Sequence, residues 1–368
     1  MGSRSRRVVV VGVWVFGLSL AHPKERVFQE AVATDVIASS GSLQKSPDPA
    51  TFQQSLRVYR TGRAQDAISQ LAAWPVDRLV AAAKASAPNL SSSDRMAAAI
   101  LQAEVASALL DAHRVHYGLA SRVSPNDGRK VTEVVNSGLA LFYDAGRAPF
   151  GEQLGDEPRR WWYYAVASSL VASILLPEAS QVIDIGLKEF HDDPLLLTAR
   201  GTIAGRFHHG PKVAMMRLPS TKAAMADYKR ALMLAPGLTI AKLRLGHLYV
   251  DLGAGPEATG WLQSVAAGAS TDDQQYVAHL LLGRVAARAQ DLEVADAEYR
   301  KAYGIGAGYQ AACIALSRNE EVLDHPERAA DLARDCLLLS GHDDPWPYYD
   351  AMGDPDALRH LRAEARGR

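Results

Sequence analysis

The side chains able to do chemistry are few, and they cluster in four places. His113 and His116 stand three apart, with Glu104 and Asp111 close by in sequence. That spacing puts two imidazoles on one helix face, as a metal site requires. No third ligand falls at a compatible spacing and no His-Glu-x-x-His run occurs, so surface or half-buried histidines are the simpler reading. His208-His209 form a second pair, which reads as a solvated loop. Gly304-Ile305-Gly306-Ala307-Gly308 imitates part of a phosphate loop, but it follows a helical pattern rather than a strand and has no lysine or serine in place. His191-Asp192-Asp193-Pro194 and His342-Asp343-Asp344-Pro345 form a duplicated acidic motif. Their spacing is not that of a calcium loop; aspartate before proline caps a helix start. No serine, cysteine or carboxylate pair sits in a nucleophile or acid–base motif. The expectation is therefore no catalytic residue, no metal and no cofactor.

The chain ends bound the cellular setting. Arg4, Arg6 and Arg7 precede an apolar run from Val8 to Ala21, and Ser19-Leu20-Ala21 supplies small residues at a cleavage position. A run of 14 residues falls short of the ~20 that a spanning helix needs. Residues 1–21 thus read as a secretory signal cleaved near Ala21, placing the protein in a secreted or periplasmic location; a retained anchor is the alternative. No later segment is apolar enough to span a membrane, so no stable membrane insertion is expected after cleavage. The formal net charge of −1 gives no general attraction to nucleic acid.

Residues 22–50 are small, polar and proline-bearing toward their end, as in a linker. From Thr51 onward apolar residues recur at helical spacing, and no stretch alternates as a strand would. Arg95–Ala120 and Val131–Ala145 are amphipathic helices within a helical N-terminal domain, 51–150. Leu56-Tyr59-Gly62-Ala67-Ile68-Leu71 reads there as one degenerate helix pair. Further on the sequence repeats. Ala224, Ala258, Ala295 and Ala329 are separated by 34, 37 and 34 residues, each followed at helical spacing by two more packing positions. Ala179, Ile183 and Gly186 occupy the same slots 45 residues before Ala224, the longer interval being due to an insertion at 205–220. Gly201, Gly246 and Gly283 recur in the preceding helices. Pro177-Glu178, Pro256-Glu257 and Pro326-Glu327 each open a second helix, where proline loses no hydrogen bond and glutamate meets the positive dipole end.

This pattern resembles the tetratricopeptide repeat family over residues 161–340. Tyr163, Lys242, His279 and Cys313 stand where the family usually has an early tryptophan. The resemblance implies an all-α, right-handed solenoid of about five helix pairs, with residues 341–368 forming a capping helix at its open end. It places Cys313 and Cys336 on facing helices of one pair, where they are either two buried thiols or a disulfide. It implies that first helices line a concave groove. Counted from the close-packing glycines, and from Ser317 in the same slot, that groove collects Arg206, Arg244, His247, Arg284, Arg288 and Arg318. Asp251 and Glu321 are the acidic residues there, with Leu243, Leu280 and Ile314 between the arginines. Guanidinium forks suit carboxylates, so an extended acidic segment is the implied ligand. Two aromatic clusters flank the array, Trp161-Trp162-Tyr163-Tyr164 and Trp346-Pro347-Tyr348-Tyr349. Trp161 and Tyr164 are either packed between domains or exposed for a partner. The function implied is a non-enzymatic exported adaptor for a protein or peptide. An enzyme or accessory using the histidine-bearing insertion, and a glycan-binding envelope component, are the alternatives.

Overall fold

The computed structural model describes residues 48–119, 155–172, 175–206, 219–268, 270–306, 308–339, 344–350 and 352–366. The signal segment, nearly all of the linker, the helix at Val131–Ala145 and most of the insertion with His208 and His209 lie outside these residues, as do His342 and Asp343. Among the described residues every regular element is helical.

Among the described residues four α-helices come first, α1 (Pro49–Arg60), α2 (Ala64–Ala72), α3 (Val76–Ser86) and α4 (Ser92–Leu119), with a short 3-10 turn at Ala87–Asn89 between the last two. Asp48 caps α1 by accepting from the Thr51 amide at 2.7 Å, and Gly62 turns the chain into α2 with a φ of +92°. Phe52, Leu56, Tyr59, Ile68 and Leu71 bury the α1–α2 pair against α4.

Five hairpins follow. They are α5 (Asp156–Ala172) with α6 (Leu176–Glu189), α7 (Pro194–Gly205) with α8 (Pro219–Leu234), and α9 (Thr239–Leu252) with α10 (Gly255–Ala266). Then come α11 (Asp272–Arg288) with α12 (Leu292–Ile305) and α13 (Gln310–Val322) with α14 (Pro326–Leu338). Within each hairpin the two helices pack together. The first helices also pack on one another in the order α5, α7, α9, α11, α13, and each second helix packs on the next first helix. The described residues form an all-α solenoid of tetratricopeptide-like helix pairs.

The small-residue slots explain the close approach. A Cβ on Gly201 would stand 2.8 Å from the Tyr228 ring, and one on Gly246 only 2.7 Å from Leu262, each across its own hairpin. Gly283 faces Tyr299 in the same way. Ser317, in the same slot of α13, instead donates from its hydroxyl to the Ala329 carbonyl at 2.8 Å. Ala179, Ala224, Ala258, Ala295 and Ala329 are all buried, as expected of residues where helices touch. The turn joining the two helices needs a left-handed residue. Gly253 supplies it after α9, while Gln290 and Asp324 take that conformation in the next two hairpins. The Asp193 cap is also present, accepting from Leu196 at 3.0 Å.

The tail departs from expectation. Asp344, the short helix α15 (Trp346–Asp350) and residues 352–354 cross the inner face of α11 and α9. The chain then forms α16 (Pro355–Arg366), which packs on α4 and α5. A cap over the last hairpin is therefore not what α16 provides. Its main partners lie at the other end of the stack, where Arg362 Nε reaches buried Glu104 at 2.8 Å and His360 stacks on Trp161 at 3.9 Å; its first residues also reach the start of α11 through Asp356 and Arg359.

Candidate functional site

The inner wall is built by α9 and α11. On α9, Arg244, His247 and Asp251 follow at steps of three and four and share one face. On α11, Arg284 and Arg288 do the same. The sequence expects these side chains on a groove side; in the structure Arg244, His247 and Arg284 meet residues 346–353 of the same chain.

Arg244 is only 2% exposed. Its Nη1 donates to the Tyr349 carbonyl at 3.0 Å and meets the Met352 sulfur at 3.4 Å, while Nη2 donates to the Gly353 carbonyl. The guanidinium carbon stands 3.9 Å from the Tyr349 ring centre. Arg244 is thus a seat for the tail rather than an open binding arginine, because carbonyl oxygens and an aromatic face replace its water. His247 is buried beside it, stacked on Tyr349 at 5.5 Å and facing Trp346 at 5.9 Å. Burial, with Arg244, Arg284 and Arg288 around it, pushes its pKa well below the usual histidine value, so the ring is neutral.

Arg284 lies over the Trp346 ring at 4.2 Å and stands 4.0 Å from the Asp350 carboxylate, with its side chain still partly in water. Arg288 is exposed and donates to the Val250 carbonyl in the last turn of α9, where a cation suits the helix end. Arg206, at the end of α7, is half-buried; burial lowers its pKa and the Asp350 charge opposes that. Arg318 is exposed on α13. Asp251 sits among these arginines. Burial and then the nearby Asp350 raise its pKa to about 6, against the lowering pull of Arg288 and Arg284.

Leu243 and Leu280 face the core and not the groove, being nearly inaccessible, whereas Ile314 is exposed. Trp161 and Tyr164 prove to be packing residues. Trp161 is half-buried under His360, and Tyr164 donates its hydroxyl at 2.8 Å to Asp354, whose amide in turn donates to Ser168 Oγ at 2.5 Å. Trp161 and Tyr164 of one aromatic cluster, and Trp346 and Tyr349 of the other, hold the tail to the helices it crosses.

Sequence reasoning missed the acidic anchors of that junction. Asp344 accepts from the Ala311 amide at 2.7 Å, the Trp346 amide at 2.9 Å and the Tyr276 hydroxyl at 3.2 Å, so it caps α15 and ties it to α13 and α11. Asp273 accepts from Arg359 and from the Tyr309 hydroxyl, and Thr271 donates to Asp356 at 3.0 Å. Glu104 takes Arg362 on one oxygen and the Tyr59 hydroxyl, at 2.8 Å, on the other. The only signal in the sequence was the duplicated Asp-Asp-Pro motif.

The position of the missing tryptophan is filled by three different cross-hairpin links. Tyr163 donates to Glu189 at 3.0 Å, and His279 meets Glu298 at 2.7 Å. Cys313 is disulfide-bonded to Cys336, with Cα atoms 5.5 Å apart. Of the two readings open for these cysteines, the structure has the bond.

No protein-family model matches the chain, and comparison with curated proteins finds no match either. Among solved structures it is similar to MamA, residues 41 to the end, from Desulfovibrio magneticus RS-1, at 20% identity and a TM-score of 0.38, covering 52% of this chain and 98% of that one. MamA of AMB-1 gives 16% identity over 49% of this chain and 98% of the other, with a TM-score of 0.35. Yeast Tom70 gives 11% identity and a TM-score of 0.19, covering 94% of this chain and 98% of that chain.

Proposed function

We propose that this protein is a non-enzymatic scaffold that holds a protein or peptide partner on the inner wall of its solenoid, and that it works outside the cytoplasm. The observation that carries the reading is the wall formed by α9 and α11. It presents Arg244, Arg284 and Arg288, and a length of polypeptide, the chain's own, already lies against the first two. Arg284 and Arg288 keep enough exposure to meet acidic groups of a partner, and a guanidinium fork pairs a carboxylate in two-pronged geometry. The export reading rests on the basic, apolar and small-residue order of residues 4–21. The Cys313–Cys336 bond supports it, since such bonds persist in oxidising compartments.

A photo-crosslinking residue placed at Arg284, and separately at Arg300 on α12, tests the proposal in the full-length protein in its native envelope. The same partner should be captured from position 284 and not from 300. Capture should weaken as salt rises from low to physiological strength. It should be lost when Arg288→Glu is added to the chain carrying the crosslinking residue at 284, while helical content is unchanged. Equal capture from both faces, or capture indifferent to the charge reversal, would refute it.

A further inference from the structure

We propose that Asp344–Asp354 is an exchangeable intramolecular ligand, and that the external partner of this wall is a short segment of the same chemistry: two aromatic residues three apart, followed by a carboxylate. This deepens the scaffold reading and rests on it.

The tail shows what the wall recognises. Trp346 and Tyr349, three apart on α15, are each taken by an arginine face, the first by Arg284 at 4.2 Å and the second by Arg244 at 3.9 Å. Asp350, the next residue, stands 4.0 Å from Arg284. The wall thus reads an aromatic, a second aromatic one helical turn later and an adjacent acid. Cation–aromatic contact strengthens as water is excluded, and both rings are buried.

The fit is incomplete. Arg244 Nε, His247 Nδ1 and the Tyr349 hydroxyl are buried with no hydrogen-bond partner among the described residues. Buried polar atoms in a permanent core are nearly always paired, and each orphan weakens the docked state. A free segment that brings an additional carboxylate or carbonyl could satisfy Arg244 Nε, which the tail does not. The three orphaned atoms weaken the docked state of the tail.

The tail is also tethered on both sides. The disulfide-bonded α13–α14 hairpin precedes it, and α16, held through Glu104 and Trp161, follows it. Tethering gives the segment a high effective concentration at the wall, so an external segment must displace it.

Two measurements on the full chain test the idea. The first follows amide exchange in the unaltered protein. Amides of residues 346–354 should exchange at least tenfold faster than those of Leu280–Leu282 in the adjacent α11. Equal protection would make the tail a permanent wall and overturn the proposal. The second uses a fluorescent synthetic peptide with the sequence of residues 344–354, and a scrambled control. It should bind the Trp346→Ala/Tyr349→Ala variant at least tenfold more tightly than the unaltered chain, and adding Arg284→Glu should reverse the gain. Circular dichroism of the variant verifies that the solenoid is folded. Should it be unfolded, the exchange measurement alone decides. Equal affinity for both proteins, or no binding to the folded variant, overturns the proposal. If position 284 still crosslinks an envelope partner in that case, the scaffold reading stands and only the ligand chemistry is wrong.

Discussion

The α9–α12 hairpins and the terminal α13–α14 hairpin are built on the same repeat yet are stabilised differently. In the first region glycines at 246 and 283 let Leu262 and Tyr299 pack directly on the facing helix, and the tail covers the inner side. In the last hairpin Ser317 stands in the glycine slot, and Ala333 stands where Leu262 and Tyr299 stand in theirs. Leu337 and Leu338 remain 71% and 85% exposed. What that hairpin has is a covalent bond. A repeat with neighbours on both sides is held by what it buries, whereas the one at the open end is held by closing a loop in its own chain.

The largest expected effect comes from breaking the first region at Arg244. Arg244→Ala strands the Tyr349 and Gly353 carbonyls and should cost about 3 kcal/mol. Thermal unfolding should register the loss, and amide exchange should quicken in residues 346–354 but not in 310–338. Removing the bond attacks the other region. Cys313→Ser/Cys336→Ser opens a loop with a sequence separation of 23 residues, which loop-closure entropy puts at about 3 kcal/mol as an upper figure. Here exchange should quicken in α13 and α14 while the tail stays protected. Loosening of both regions by either variant would show that they are one unit and dissolve the contrast. Gly246→Ala is milder. A methyl group 2.7 Å from Leu262 forces the hairpin apart, costing about 2 kcal/mol in urea unfolding. Ser317→Ala removes one hydrogen bond and should cost about 1 kcal/mol.

The smallest effect is a pH dependence confined to the first region. Burial raises the Asp251 pKa to about 6, against about 3.9 in an unfolded chain. Between those values the folded chain binds more protons than the unfolded one, so stability falls as pH rises through the window and stays lower above it. Asp251→Asn should therefore gain stability above pH 6 and lose that gain below about pH 4. With a third of the side chain in contact with water the gain is about 1 kcal/mol. Urea midpoints at both pH values measure it, and the tail's protection factor, with the intrinsic pH dependence of amide exchange divided out, should fall as pH rises in the parent and not in the variant.

The solenoid was legible because close packing must recur: Ala224, Ala258 and Ala295, the facing glycines and the Pro-Glu starts all announce positions where helices touch. The face carrying Arg244, His247, Arg284 and Arg288 was legible for the same reason, since helical phase fixes direction. The occupant of that face was not. Arg244 and Gly353 lie 109 positions apart, and Tyr164 and Asp354 lie 190 apart; no periodicity connects them. The aromatic cluster at 346–349 was visible as a group without a partner, and so was the cluster at 161–164. That members of both hold the tail to the helices it crosses needed three-dimensional structure. Cys313 and Cys336 were placed on facing helices, but spacing alone could not distinguish thiols from a bond.

The contact between Glu104 and Arg362 spans 258 positions. Every hairpin of the stack can form as soon as its own residues leave the ribosome, since its partners are near in sequence. The tail cannot. Its landing place on α4 and α5 is made early and must wait until synthesis has passed Arg362. Contacts of such long range close slowly. The wall therefore stays uncovered by the tail until residues 344–362 have been made, so a nascent chain passes through the uncovered form before it ever reaches the covered one.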